Sequence, residues 1–536
     1  MNLLLEKIDR LTEIGTALSA EQDTARLLEL IVLGAKSLTH ADGGTLYSFR
    51  DGKLSFEIIS NDTLSIRMGG SSGNKIEFDP LPVYLEDGRE NHNMVVSHCV
   101  LSGKTINIED AYHADGFDFS GARRFDDSNG YRTRSVLTVP LKDHEQEIIG
   151  VLQLINACDP QSGEVISFSA VDQQLAESLA SQAAVALTQK RLLKELKDLF
   201  EAFIKMIASA IDDKSPYTGG HCRRIPVLTM MLAEAVNAAD SGPMKSFHID
   251  DDDRYELETA AWLHDCGKVV TPEYVMDKST KLEGIFDRIH LLEHRIEILL
   301  RDREIEYLKR CQELAGRASA LATEEKRYQQ DCEQLKQDLT FLQNANFGGE
   351  FMRDEDIERI RRIADYQWMD LKGQLQPMLS EEEVLNLSIR KGTLNDEERE
   401  IINHHIVATI NMLEALPFPK KLRRVPEYAG GHHEKMDGTG YPKGLKGDEM
   451  SVQTRIMAIA DIFEALTARD RPYKQGKTLS ECLKIMSYMK RDHHIDPEIF
   501  NIFIRSQVYL QYAREFLDPQ QIDTVDEQII QACLGE

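Results

Sequence analysis

Histidine and carboxylate side chains gather in a few short stretches of this chain. AAWLHDCGKVV sets His264 beside Asp265 after an apolar helical run, with Lys268 one turn on. YTGGHCRRI carries His221, EREIINHHIVAT carries His404 and His405, GGHHEKMDGTGYP carries His432 and His433, and RIMAIADIFEALTARDRPYK carries Asp461. Adjacent helical residues diverge by about 100°, so His264 and Asp265 can grip one centre only off a helix end, where a carboxylate can also bridge two ions. Histidine and carboxylate ligands without cysteine suit iron, manganese, nickel or zinc better than a magnesium or calcium site built from oxygen alone. Seven such groups would hold two ions. Two metals about 3.5–4 Å apart generate hydroxide at neutral pH and clamp a phosphoryl group for in-line displacement. In the loop, Gly438 and Gly440 permit φ values that other residues resist, so DGTGYP from Asp437 to Pro442 reads as a tight turn.

The elements that must position these groups divide along the chain. Residues 1–170 mix an opening helix with strand-like runs, GGTLYSFRDGKLSFEIIS, KTINIED and RSVLTVPLKDHEQEIIGVLQLINA, an α+β pattern whose last run reads as a hairpin. From residue 171 to 212, apolar residues recur at threes and fours without a breaker, predicting one connecting helix of about 60 Å that pairs with its twin in a dimer. The remainder is nearly all helical: a first part over 213–280, a second over 389–510 and a tail over 511–536. Between them, 281–388 is dense in Glu, Lys and Arg around a leucine stripe, predicting long solvated helices folded as an arm, with an interaction role and a protein partner.

At 536 residues, 42% of them apolar, the chain needs two or three cores. Its 63 basic and 90 acidic residues give a net charge of -27, which repels phosphate backbones and argues against nucleic-acid polymers and anionic membranes as partners. An anionic substrate must then be captured by local positive charge. The eight cysteines form no CxxC pair, which reads as a reducing cytoplasm. MNLLLEKIDRLTEIG is broken by charge every few residues, so neither signal peptide nor membrane span is expected.

The HD pair at 264–265, followed by AGGHHEKMDGTGYPKGLKGDEMSVQTRIMAIADIFEALTARDRPYK and a HIDPEIF close, resembles the HD-GYP subgroup of the HD phosphohydrolases over roughly 210–280 and 389–503. The resemblance implies an all-α domain that hydrolyses cyclic dinucleotides at a centre of two or three metals. It assigns His221, His264 and Asp461 to one ion and His405, His432 and His433 to a second, with Asp265 bridging. His405 is preferred to His404 by counting from LNDEEREIINHH, a register that leaves His404 as the alternative. Tyr217 replaces a glutamate found in three-metal members, which implies two divalent ions, iron or manganese first and nickel or zinc next. Lys268, Arg471 and Lys474 are implied phosphate contacts, while Gly440 and Tyr441 form the wall beside the substrate.

The N-terminal half resembles a GAF domain, through LTEIGTALSAEQDTARLLELIVLGAKSLTHADGGTLYSF and NGYRTRSVLTVPLKDHEQEIIGVLQLINA. Asn156, Phe168 and Asp172 match the cyclic-nucleotide signature of that family, but Ala157 and Gln173 depart from it, leaving the small-molecule ligand unknown. The expected protein is a cytoplasmic phosphodiesterase regulated through the GAF domain, dimeric through that domain and the connecting helix. It opens cyclic di-GMP to pGpG or GMP by attack of a hydroxide bridging the metals, with Asp265 and Lys268 as catalytic residues. The alternatives are 3′,3′-cyclic GMP-AMP as substrate, or a sensor or scaffold without hydrolysis.

Overall fold

The computed structural model describes residues 2–214, 220–349, 351–469 and 476–535. These form two compact units that divide between Phe200 and Glu201.

The first unit opens with α1 (Asn2–Ala20) and α2 (Thr24–Thr39), the latter capped by the Asp23 carboxylate, which accepts from the Arg26 amide. There follow β1 (Ala41–Arg50), β2 (Lys53–Asn61), β3 (Ile66–Gly69), β4 (Leu81–Pro82), α3 (Val95–Ser102), β5 (Ile106–Ile108), α4 (Ser120–Asn129), β6 (Val136–Lys142), β7 (Ile148–Cys158) and β8 (Val165–Ile166). The strands pair antiparallel in the order β3-β2-β1-β7-β6-β5, with β4 added to β2 and β8 to β7. Side chains alternate between the faces of a strand. Leu137, Val139, Leu152 and Leu154 therefore join one core with α2 and Leu179 and Ala183 of the following helix, whereas Val136 and Val151 face α3. This is the α+β architecture the strand pattern predicts, with the KDHEQE stretch turning β6 into β7.

Helix α5 runs unbroken over Ala170–Lys214. The second unit continues with α6 (His221–Asn237), α7 (Asp251–Leu263) and α8 (Glu273–Met276). After the insertion come α13 (Asp396–Glu414), α14 (Val425–Gly430), α15 (Val452–Thr467), α16 (Leu479–Arg491), α17 (Pro497–Arg505), α18 (Val508–Phe516) and α19 (Glu527–Leu534). Phe463, Phe503 and Tyr512 stack edge to face at its centre.

The insertion comprises α9 (Ile289–Glu313), α10 (Ala318–Asn346), α11 (Asp354–Ala364), a hairpin of β9 (Gln367–Met369) and β10 (Leu375–Pro377), and α12 (Glu381–Leu387). It is more than the solvated helices expected from its charge. Leu292, Ile296, Leu335, Leu342, Ile360, Ile363, Met378 and Leu387 fill an apolar core of its own, which explains why a leucine stripe persists among so many charges. The segment leaves and re-enters at one neck. There the buried Lys281 ammonium donates to the Leu387 and Ile389 carbonyls at 3.0 and 2.8 Å, while Lys278 pairs with Glu398 at the start of α13. The segment between Lys281 and Leu387, 106 positions apart, is thus looped out and tied back at the start of α13.

Candidate metal centre

Each histidine at the centre is placed by the end or the buried face of a helix. His221 is the first residue of α6, and His264 is the C-cap of α7, so Asp265 already lies beyond the helix, as the N-cap of the 3₁₀ turn Cys266–Val270 that follows. This solves the geometric problem of the adjacent pair: the helix stops before the two side chains diverge. His405 lies on the buried face of α13 while His404 is exposed, and His432 and His433 occupy the turn after α14. Asp461 comes from α15.

These residues converge on the Asp265 carboxylate. Its Oδ2 lies 3.3 Å from His221 Nε2 and 3.2 Å from His264 Nε2, and its Oδ1 lies 3.2 Å from His405 Nε2. Asp461 Oδ1 stands 3.3 Å from His221 Nε2 and 3.8 Å from His264 Nε2. Two groups have the spacing of ion ligands, His221 with His264 and Asp265, and His405 with His432 and His433.

The tautomers follow from the backbone. Nδ1 of His264 donates to the Ala261 carbonyl at 2.8 Å and Nδ1 of His432 to the Ala429 carbonyl at 2.7 Å; His405 makes the same contact with Ile402. A carbonyl only accepts, so in each neutral ring the Nε2 lone pair is left free. The Nε2 atoms of His405 and His432 and the Oδ1 of Asp265 are buried without a hydrogen bond. Buried polar atoms rarely go unpaired, and three at one point fit a cation between them.

The electrostatics favour neutral imidazoles at His432 and His433. Burial by itself would raise Asp265, but the Lys268 ammonium, at 2.5 Å from Oδ2, and the surrounding histidines hold its carboxyl well below the usual range. Burial and the neighbouring histidines keep His432 well below an ordinary imidazole, and burial pushes His433 down to about 4. Both are therefore neutral, as metal ligands must be. His221 moves the other way: burial opposes its charge, yet the Glu464, Asp265 and Asp461 carboxylates raise it well above the ordinary value.

The GYP loop folds over the second group. Tyr441 stacks on His433 with ring centroids 4.8 Å apart. At Gly440 a Cβ would meet the backbone of Glu434 and Lys435 at 2.5 Å, so only glycine allows the loop to lap over itself. The buried Glu434, unassigned from sequence, accepts from the Lys443 and Leu445 amides at 2.7 and 2.9 Å and pins that lap. Arg471, Lys474 and Tyr217 lie outside the described residues.

Sequence reasoning missed Glu464. It is buried, one turn beyond Asp461, and receives His221 Nδ1 on one oxygen and Arg224 Nε on the other at 2.6 Å. The i, i+3 spacing from Asp461 on an apolar helix was the available signal. In the first unit, Asn156 and Asp172 have structural partners: Asn156 ties the segment before β6, meeting Tyr131, Arg132 and Arg134, and Asp172 receives Ser169 and Lys7.

Comparison with known proteins follows the same division. The GAF domain family matches residues 23–187, and the family described as HD domain matches residues 381–499, a range that includes His405, His432, His433 and Asp461. Among curated proteins, the chain is 38% identical over 133 residues to the 3′3′-cGAMP-specific phosphodiesterase 1 of Vibrio cholerae, covering 25% of this chain and 29% of that protein. It is 43% identical over 113 residues to the 3′3′-cGAMP-specific phosphodiesterase 3 of the same organism, covering 21% and 23%. It is 35% identical over 129 residues to a cyclic di-GMP phosphodiesterase of Thermotoga maritima, covering 24% and 34%. The chain thus spans about a quarter to a third of the length of these relatives. Among solved structures, the GAF domain of an Acinetobacter phosphoenolpyruvate-protein phosphotransferase aligns with 35% of this chain and 98% of its own, at 14% identity and a TM-score of 0.26. On the family matches, the chain carries a GAF domain in its N-terminal half and an HD domain in its C-terminal half.

Proposed function

We propose that this protein is a metal-dependent phosphodiesterase that hydrolyses a cyclic dinucleotide, cyclic di-GMP or 3′,3′-cyclic GMP-AMP. One observation carries the reading: a single buried carboxylate, Asp265, turns one oxygen to His221 and His264 and the other to His405. That is how a carboxylate serves two ions at once. In this reading His221, His264 and Asp461 hold one divalent ion and His405, His432 and His433 the other, iron or manganese suiting the donors best. When bound, such a pair supplies Lewis acidity that lowers the pKa of water and neutralises phosphoryl charge.

The chain's own groups do the rest. The three carbonyl-bound histidines keep their Nε2 atoms fixed toward the centre, so the ligands need little reorganisation. Lys268 stands against Asp265 and offers a cation for a phosphodiester at the centre of an otherwise acidic protein. Tyr441, fixed on His433, presents an aromatic wall for a base. The names of the relatives support both dinucleotides as candidates. Regulation through the GAF domain and pairing of α5 with its twin extend the proposal. The exposed Leu192, Leu196, Leu199, Phe203 and Met206, spaced alternately by fours and threes, support such pairing. Eight free cysteines suit a reducing cytoplasm. No helix among the described residues is long and apolar enough to cross a membrane.

The test is anaerobic purification, metal analysis, and hydrolysis of each dinucleotide by the full chain and by Asp265→Asn. Two divalent ions per chain, with turnover that Asp265→Asn abolishes, are expected. Undiminished hydrolysis by Asp265→Asn would sink the assignment.

A further inference from the structure

The last turn of α5 touches two of the segments that bring ligands to the centre. The buried Asp212 carboxylate accepts from the Gly220 amide at 3.1 Å and the Cys222 amide at 3.3 Å, the residues on either side of His221. Two residues on, the Lys214 ammonium donates to the carbonyls of Lys268, Val269 and Thr271 at 3.2, 2.6 and 2.7 Å. Lys268 and Val269 belong to the 3₁₀ turn Cys266–Val270 and Thr271 is its C-cap; Asp265 is the N-cap of the same turn, with Lys268 against it. The Lys268 carbonyl also accepts from the Thr271 amide at 3.1 Å, but the last carbonyls of such a turn lack a full set of amide partners, and a cation there fixes it.

We infer that Asp212 and Lys214 are positioning residues of the metal centre, Asp212 setting His221 and Lys214 setting the Asp265–Lys268 turn. The inference rests on the metal reading above and extends it to two groups that touch neither ligand side chains nor substrate. Its geometry is specific. Asp212 acts through the backbone on one side of the first ion, and Lys214 acts on the turn that supplies the bridging carboxylate.

The experiment uses the full chain, stripped of metal and titrated with Mn2+ by calorimetry, with urea midpoints of the metal-free protein as the control for folding. Asp212→Asn keeps the shape but presents a donor to one of the two amides. It should weaken one of two Mn2+ ions about 10-fold and leave the other within twofold. Lys214→Met should weaken Mn2+ binding by a similar factor and lower kcat with little change in KM, and Lys214→Arg, which keeps a cation with several donors, should recover most of the loss. The inference is overturned if both variants bind two Mn2+ ions within twofold of the parent. It is equally overturned if losses appear only in step with a lowered urea midpoint, since that is general destabilisation. Failure of the parent to take up Mn2+ would remove the metal reading and this inference with it, whereas parental uptake with unaffected variants removes this inference alone.

Discussion

Gly267 lies at a close approach between the Asp265 turn and α13, and its replacement by alanine tests how the carboxylate proposed to bridge the ions is placed. A Cβ there would stand 2.0 Å from the His405 carbonyl oxygen and 2.5 Å from the Thr409 amide nitrogen, whereas ordinary contact begins at 3.4 Å. Both obstacles are helical backbone, which cannot swing aside as a side chain can. The turn must therefore retreat by up to 3.4 − 2.0 = 1.4 Å, and its amide loses Thr409 Oγ1, now at 2.9 Å. Asp265 rides on that turn, 3.2 Å from His405. Metal–ligand bonds tolerate only about 0.2 Å, so the carboxylate can no longer serve both ions. Gly267→Ala should cost about 1–3 kcal/mol of stability as an overpacked contact and roughly 10²-fold in turnover as a misplacement of about 1 Å. The assays are urea unfolding, Mn2+ calorimetry and cyclic di-GMP hydrolysis on the full chain. Parental Mn2+ stoichiometry together with parental turnover would refute the idea that this approach places the bridge.

Three further outcomes follow from the same geometry. Glu464→Gln removes the charge that receives His221 while keeping its shape, and should weaken Mn2+ binding about 10-fold with little change in the urea midpoint; an unchanged titration would count against a supporting role for Glu464. His433 titrates at about 4 instead of 6.5, so between those values the unfolded chain binds the extra proton and the metal-free protein loses stability as pH falls, while above 6.5 the residue has no effect. Unfolding free energies of parent and His433→Asn at pH 4.5 and 7 should show the parent losing on the order of 2 kcal/mol more, and parallel pH slopes would contradict this. Leu342 is fully buried in the insertion, and Leu342→Ala should cost about 2–5 kcal/mol locally, seen as faster amide exchange in α9 and α10 with Mn2+ binding intact. Loss of both ions in that variant would mean that the insertion supports the centre.

What the sequence determined by itself was set by short-range patterns. Alternation over β1, β2, β6 and β7, threes and fours over α5, and the breakers around DGTGYP are all local, and the order of α+β followed by mostly helical structure follows from them. The residue types at 264–265 and 432–433 announced metal chemistry because few other arrangements need them at helix ends. The tertiary structure alone decided the rest, because it depends on approaches between segments distant in the chain. The preference for His405 over His404 rests on a resemblance in register alone, and what turns His405 inward is how α13 lies against a glycine 138 residues before it. Glu464 gains its role only when α15 meets the start of α6, 240 residues earlier, at Arg224. The clamps of Asp212 and Lys214, the neck at Lys281 and the core within the insertion likewise consist of polar or apolar groups unremarkable in sequence. Burial, by removing water as the alternative partner, makes each of those contacts obligatory once the chain has folded.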